Sequence, residues 1–174
     1  MITPLLILSA ILSSILFNSI LEWIIHWPLE HGKISVLIGQ RKSHIDHHQF
    51  YWREEGFQNT KHGKSVAIPH WFFIPVSLIS WGVASVIGHF LGSTLFVWCF
   101  VVTTMIHYIF FQYVHTSMHI PKGRWIERTK WFKKKMAEHV IHHRMDEDFE
   151  HPVNVCVVCS WADRLFGTYF RRNK

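Results

Sequence analysis

The chain has 174 residues, one domain's worth, with 16% aromatic and only 17% charged residues and fifteen histidines. A formal charge of +6 alone would suit nucleic acid, but long apolar blocks point instead to a membrane with basic residues against anionic headgroups, so no nucleic-acid partner is expected. Three cysteines make no disulfide framework, and Cys156-x-x-Cys159, flanked by valines and without a second pair, reads as small packing residues.

Residues Ile2 to Trp27 are almost continuously apolar, broken by Ser, Thr, Asn18, Glu22 and His26. The stretch lacks the basic start and small-residue cleavage site of a signal peptide. Its length matches the roughly 20 residues that cross a bilayer as helix, so a retained span over about 4–27 is expected. Ser9, Ser13 and Ser14 would suit close helix contacts. Pro28 to Ile68 is polar. Two further spans follow, about 69–91 and 93–114, joined by Gly88-His89-Phe90-Leu91-Gly92, with Pro75 a possible kink in the first. All eighteen Lys and Arg fall within 33–64 or 122–174. Three spans put those segments on one side, which the positive-inside rule makes cytoplasmic.

Beyond His115 the chain is polar and basic. Trp125, Thr129, Phe132, Met136, His139 and His143 follow a helical spacing, with Lys130, Lys133, Lys134 and Lys135 mostly off that face. This pattern predicts an amphipathic helix at the membrane surface, lysines toward headgroups. The fold class expected is therefore all-α integral membrane: a single domain over 1–174, with about three transmembrane helices plus cytoplasmic and interfacial helices.

Ten histidines form four clusters: His26/His31, His44/His47/His48, His115/His119 and His139/His142/His143. The expected topology puts all four on the cytoplasmic side. Neutral imidazole is a common ligand for iron, zinc and copper, and residues at i and i+4 share a helix face. Ten nitrogens are too many for one ion, so a dimetal site with open positions is expected. His26 and His31 stand about 140° apart on a regular α-helix. They converge only through a π-type turn or a helix end, and Pro28 between them removes a backbone donor. Glu22, the only charged residue within a span, is placed to support His26 from behind. The isolated His62, His70, His89, His107 and His151 are left out as structural.

These boxes, with spacings His-x₄-His, His-x₂-His-His, His-x₃-His and His-x₂-His-His, resemble those of the fatty acid hydroxylase/sterol desaturase superfamily. The stretch Trp161-Ala-Asp-Arg-Leu-Phe-Gly-Thr-Tyr169 resembles the "WDRLFGT" ending common there, with Ala162 inserted, and Asn154 matches an Asn that often follows the last box. The resemblance covers roughly residues 20–170, and the box spacing is closest to fatty acid 2-hydroxylases. It implies a di-iron centre, in which zinc can replace iron on purification, using O₂ to oxidise a lipid C–H bond, with Asn154 in support. No flavin, nicotinamide or iron–sulfur motif is visible, so a separate ferredoxin or cytochrome is expected to donate electrons. The leading expectation is an acyl-chain hydroxylase in a bacterial inner membrane, otherwise the endoplasmic reticulum. The alternatives are a lipid desaturase or carotenoid hydroxylase on the same centre, and a non-catalytic metal-binding membrane protein.

Overall fold

The computed structural model describes residues 2–31, 40–54, 56–58, 72–145 and 151–171; side chains are described for these except Ile2, 40–43, 52–54 and Met145. Among the described residues every regular element is helical. They are α1 (Ile2–Ile24) running into a π-helical turn (Ile25–His31), α2 (Gln40–His48) running into a second π-helical turn (Gln49–Glu54), α3 (Phe73–Phe90), α4 (Thr94–His119), a 3₁₀ turn (Trp125–Arg128), α5 (Lys130–Met145) and α6 (Trp161–Leu165). Three helical stretches, Thr3–His31, Phe73–Phe90 and Thr94–His119, are long and apolar enough to cross a membrane. The third passes the expected limit at 114. Hydropathy ends there, but a helix ends where its hydrogen bonding ends, and Ile120 N–H still donates to Thr116 O (2.8 Å) before Pro121. Residues 69–71, His62 and His70 lie outside the described residues.

The chain separates into two compact units, one of residues 1–18 and 67–112, the other of 19–66 and 113–174. The first is a three-helix packing of small residues and aromatics. Ala10, Ala84, Phe96, Phe100 and Val101 are its core. Small residues let helix backbones approach where lipid offers no hydrophobic drive for association. Ser14 uses that approach: its hydroxyl lies 3.1 Å from Phe100 O and 3.1 Å from Thr104 Oγ1, while Asn18 Nδ2 donates to Ser14 O (2.7 Å). Ser9 does not share this role; it is exposed and donates to Leu6 O within its own helix. Leu8, Leu12 and Leu16 form an exposed stripe on α1, and Leu78 and Ile106 are more than half exposed. That apolar exterior suits hydrocarbon and would be a liability in water.

Pro75 produces no break. It lies in the first turn of α3, where its missing N–H would have had no helical partner. The α3–α4 connection is closed by Gly92 at φ +59°, Gly92 N–H donating to His89 O and Ser93 N–H to Gly88 O, and Ser93 Oγ caps α4 at Phe96 N–H. A Cβ on Gly88 would stand 2.4 Å from Val97 Cγ2 and 3.0 Å from Ser93 O, whereas one on Gly82 would meet nothing within 4 Å. G88V should therefore lower stability in detergent by about 1–3 kcal/mol through overpacking. G82A should be neutral or mildly stabilising. Denaturation midpoints of the two variants check this.

The second unit carries all ten clustered histidines. Thr129 caps α5, its Oγ1 accepting from Phe132 N–H (3.1 Å). Thus α5 begins at Lys130, and Trp125 is not part of it; Trp125 lies on the 3₁₀ turn and is exposed. Phe132, His139 and His143 form the buried face as expected. Lys135 departs from expectation: it is buried, donating to Glu138 Oε2 (2.8 Å), Cys156 O (2.8 Å) and Ser160 Oγ (2.6 Å). The segment after residue 150 supplies two of those oxygens, from Cys156 and Ser160, which the lysine run itself does not reveal. K135M should cost about 3–5 kcal/mol by stranding the Glu138 carboxylate. K134M, at an exposed position 4.0 Å from the same carboxylate, should cost under about 1 kcal/mol. Chemical denaturation distinguishes the two.

Candidate metal centre

Each histidine pair is placed by a local feature of the backbone. His31 is the fifth residue after His26, about one turn of a π-helix further on. The π-helical turn Ile25–His31 containing Pro28 brings both rings into one cluster, 5.5 Å apart and stacked. His44 and His48 are one turn apart on α2, His115 and His119 on α4, and His139 and His143 on α5.

The ten rings sort into two groups. Ligand atoms of His26, His31, His44, His48 and His142 all lie within 4.8 Å of one another, as do those of His47, His119, His139 and His143. His115 joins the second group, its Nε2 3.1 Å from His139 Nε2. Each group therefore contains one pair from a long helix, an i, i+4 pair from one three-histidine box, and a single ring from the other box. His142 reaches across to the first group and His47 to the second. The groups meet where His48 and His143 stack, centroids 4.0 Å apart and planes 15° from parallel. All ten histidines singled out in the sequence are thus brought together, and the boxes on α2 and α5 share both groups.

Burial sets the protonation. His44, His47, His48, His139 and His143 are held well below the usual imidazole range, first by desolvation and then by repulsion among neighbouring rings. Desolvation takes His142 down to about 4, although its bond to the Val153 carbonyl pulls the other way. Neutral rings keep a lone pair for a cation. Two rings have that lone pair directed: His142 Nδ1–H donates to Val153 O (2.8 Å) and His119 Nδ1–H to Phe57 O (3.0 Å), leaving Nε2 to face the group.

The donor set fits a metal. His26 Nε2, His47 Nε2, His142 Nε2, His139 Nδ1 and both nitrogens of His143 are buried without a hydrogen-bond partner among the described residues. At about 1–3 kcal/mol each, leaving them so costs on the order of 10 kcal/mol, comparable with the whole net stability of a typical domain. Cations would remove most of that cost. The Nε2 atoms of His44 and His31 lie 2.8 Å apart, and His139 Nε2 lies 3.1 and 3.0 Å from those of His115 and His119. Two nitrogens about 2.1 Å from one ion at right angles are about 3.0 Å apart.

Around the rings stand Tyr51, Phe57 and Glu30, which the sequence did not single out. Tyr51, fully buried, packs 4.3 Å from His119 and 5.1 Å from His47, and Phe57 lies 4.7 Å from His119. Tyr51 falls one turn beyond His47, a signal available in the sequence. Glu30 places Oε2 3.3 Å from His44 Nδ1 and 3.8 Å from His26 Nε2. Glu22 Oε2 accepts from Val158 N–H (3.1 Å). Asn154, at φ +53°, exchanges bonds with the Phe170 backbone, Nδ2 to O at 3.0 Å and N–H to Oδ1 at 2.9 Å, and reaches Glu138 O at 3.5 Å. Its contacts hold the C-terminal segment behind α5.

That segment is a clip. Asp163 accepts from Val155 N–H, Cys156 N–H and Thr168 Oγ1–H at 2.8–3.1 Å. Ser19 Oγ–H donates to Cys159 O and Trp23 Nε1–H to Thr168 Oγ1, so the Trp161–Tyr169 stretch grips the end of α1 just before His26. Cys156 is packing in this clip: burial, then the carboxylates of Glu22 and Asp163, push its thiol up, away from the reactive thiolate.

Family models, curated proteins and solved structures were each compared with the chain, and none matches it.

The metal-free chain should lose stability as acidity rises. A histidine with a depressed folded pKa stays neutral in the fold while its unfolded counterpart takes a proton below 6.5, so unfolding gains protons and stability falls as pH falls. For His142 the window runs from 6.5 down to about 4, and the other five extend it in the same direction. Thermal melts of chelator-treated protein should show a midpoint falling steadily from pH 7 to pH 5; a flat profile contradicts the burial assigned to the rings.

Proposed function

We propose that this chain is a membrane-bound di-iron mono-oxygenase that hydroxylates a lipid acyl chain. One observation carries the reading: two interleaved five-histidine groups, nine of the rings buried and His47 partly so, meeting at His48 and His143. The resemblance of the four boxes and of the closing stretch to the fatty acid hydroxylase/sterol desaturase superfamily supports the same reading. Bound iron would supply O₂ activation and C–H oxidation, with the balance R–H + O₂ + two electrons + two protons giving R–OH + H₂O. The electrons come from an external ferredoxin or cytochrome.

The chain's own part is to hold and shield. His26, His31, His44, His48 and His142 would hold one ion; His47, His115, His119, His139 and His143 the other. The Val153 and Phe57 carbonyls fix two tautomers, so those rings present Nε2 without rearrangement. Tyr51 and the Phe57 ring exclude water from the second group. Neutral nitrogen donors would leave the charge of any bound ions largely uncompensated by the ring ligands themselves. Three bilayer-length helices and an apolar exterior favour a substrate drawn from lipid. The clustering of every Lys and Arg in 33–64 and 122–174 favours a cytoplasmic face for the histidine-bearing segments.

Lipid mass spectrometry of cells with and without the protein tests the reading. A new lipid with one added oxygen is expected, falling to background in H47A and H142A while the protein still accumulates. Loss of two hydrogens would instead identify a desaturase. An unchanged lipid profile, with no O₂ consumption by purified protein given reductant and lipid, would identify a non-catalytic metal-binding protein.

A further inference from the structure

The two histidine groups contain five rings each, yet a carboxylate stands against the first. Glu30 lies in the π-helical turn between Pro28 and His31, with its side chain only 14% exposed. Its Oε2 is 3.3 Å from His44 Nδ1. The opposite edge of the same ring faces inward, His44 Nε2 lying 2.8 Å from His31 Nε2. In the second group the corresponding buried contact is neutral: His119 Nδ1–H donates to the Phe57 carbonyl, with Nε2 turned to His139.

We propose that Glu30 is a positioning residue that makes the two metal positions unequal. This inference rests on the dimetal reading above. Glu30 accepts the His44 Nδ1–H, fixes the tautomer that presents Nε2, and raises the basicity of that nitrogen. A carboxylate in a poorly solvated site also attracts a cation directly, and His26 Nε2 is only 3.8 Å from the same oxygen. Both effects favour the ion held by His26, His31, His44, His48 and His142. The first position therefore fills before the second. The geometry depends on the π turn: Glu30 is four residues beyond His26, and the widened turn keeps it beside that ring while His31 also points in.

Titration of the full-length, metal-stripped protein in detergent with cobalt(II), followed by its visible absorption and by metal analysis, tests this. Wild type should take up two ions in two resolved steps. E30L should weaken one ion by roughly 10- to 100-fold, the range for loss of such a partner, and leave the other unchanged, so that the steps merge or reverse; E30Q, which keeps an acceptor without the charge, should fall between. In an H44A background E30L should cause little further loss, since Glu30 acts through that ring. Two unchanged affinities in E30L overturn the proposal, as does an equal weakening of both ions, or a full E30L effect that persists in H44A. Wild-type protein that binds two ions while Glu30 variants behave normally refutes this inference alone. Wild-type protein that binds no ion refutes the dimetal reading and this inference together.

Discussion

Ten imidazoles taken out of water are the constraint on which the second unit is built. Burial, seconded by repulsion between neighbouring rings, drives the rings of α2 and α5 to the neutral state and leaves several ring nitrogens without hydrogen-bond partners among the described residues. A fold can tolerate that only if something electron-poor shares the lone pairs, and spacings near 3 Å between converging Nε2 atoms are those of neighbouring ligands on one ion. The surrounding elements serve this packing. The π turn after α1 brings His26 and His31 together, backbone carbonyls fix the tautomers of His119 and His142, and the C-terminal clip holds the end of α1 in place.

The clip accounts for a stretch whose role is not evident from composition. Asp163 takes two backbone N–H groups of the Val155–Cys156 segment, and those residues therefore need no neighbouring strand despite their β-like sequence. Behind the same segment, the buried Lys135–Glu138 pair ties α5 to Cys156 and Ser160, and Tyr169 O–H donates to Glu138 Oε1 (3.1 Å). Burial opposes the Glu138 charge, but the Lys135 ammonium and bonds from Lys135, Ser160 and Tyr169 hold its carboxyl below the usual range. Glu138 immediately precedes His139, so this network fixes the helix that supplies three of the ten rings.

Local spacing carried much of this into the sequence. Two His-x-x-His-His boxes and two pairs were enough to nominate the ten rings, and the proline between His26 and His31 was enough to expect a widened turn there. What spacing could not reveal is the exchange of His47 and His142 between groups. Within a helix, i, i+3 and i+4 lie on one side, and only the approach of α2 to α5 decides which ring serves which group. Glu22 and Glu30 lie one turn before and one turn after His26, and no local rule ranks them; the π turn puts Glu30 beside His44, while Glu22 bonds the Val158 backbone. Lys135 sits in a basic run that reads as solvated, and only the return of residues 156–160 makes it buried. The end of α4 is missed for a different reason, since apolar character stops at Val114 while backbone bonding continues to His119.

We propose that these ten rings hold two neighbouring metal ions. X-ray absorption at the iron edge on the iron-loaded full-length protein, with metal content measured on the same sample, tests it most directly. Two irons per chain, a coordination shell dominated by imidazole nitrogen, and an iron neighbour to each iron are expected. One ion per chain, or a shell dominated by oxygen with no metal neighbour, would contradict it.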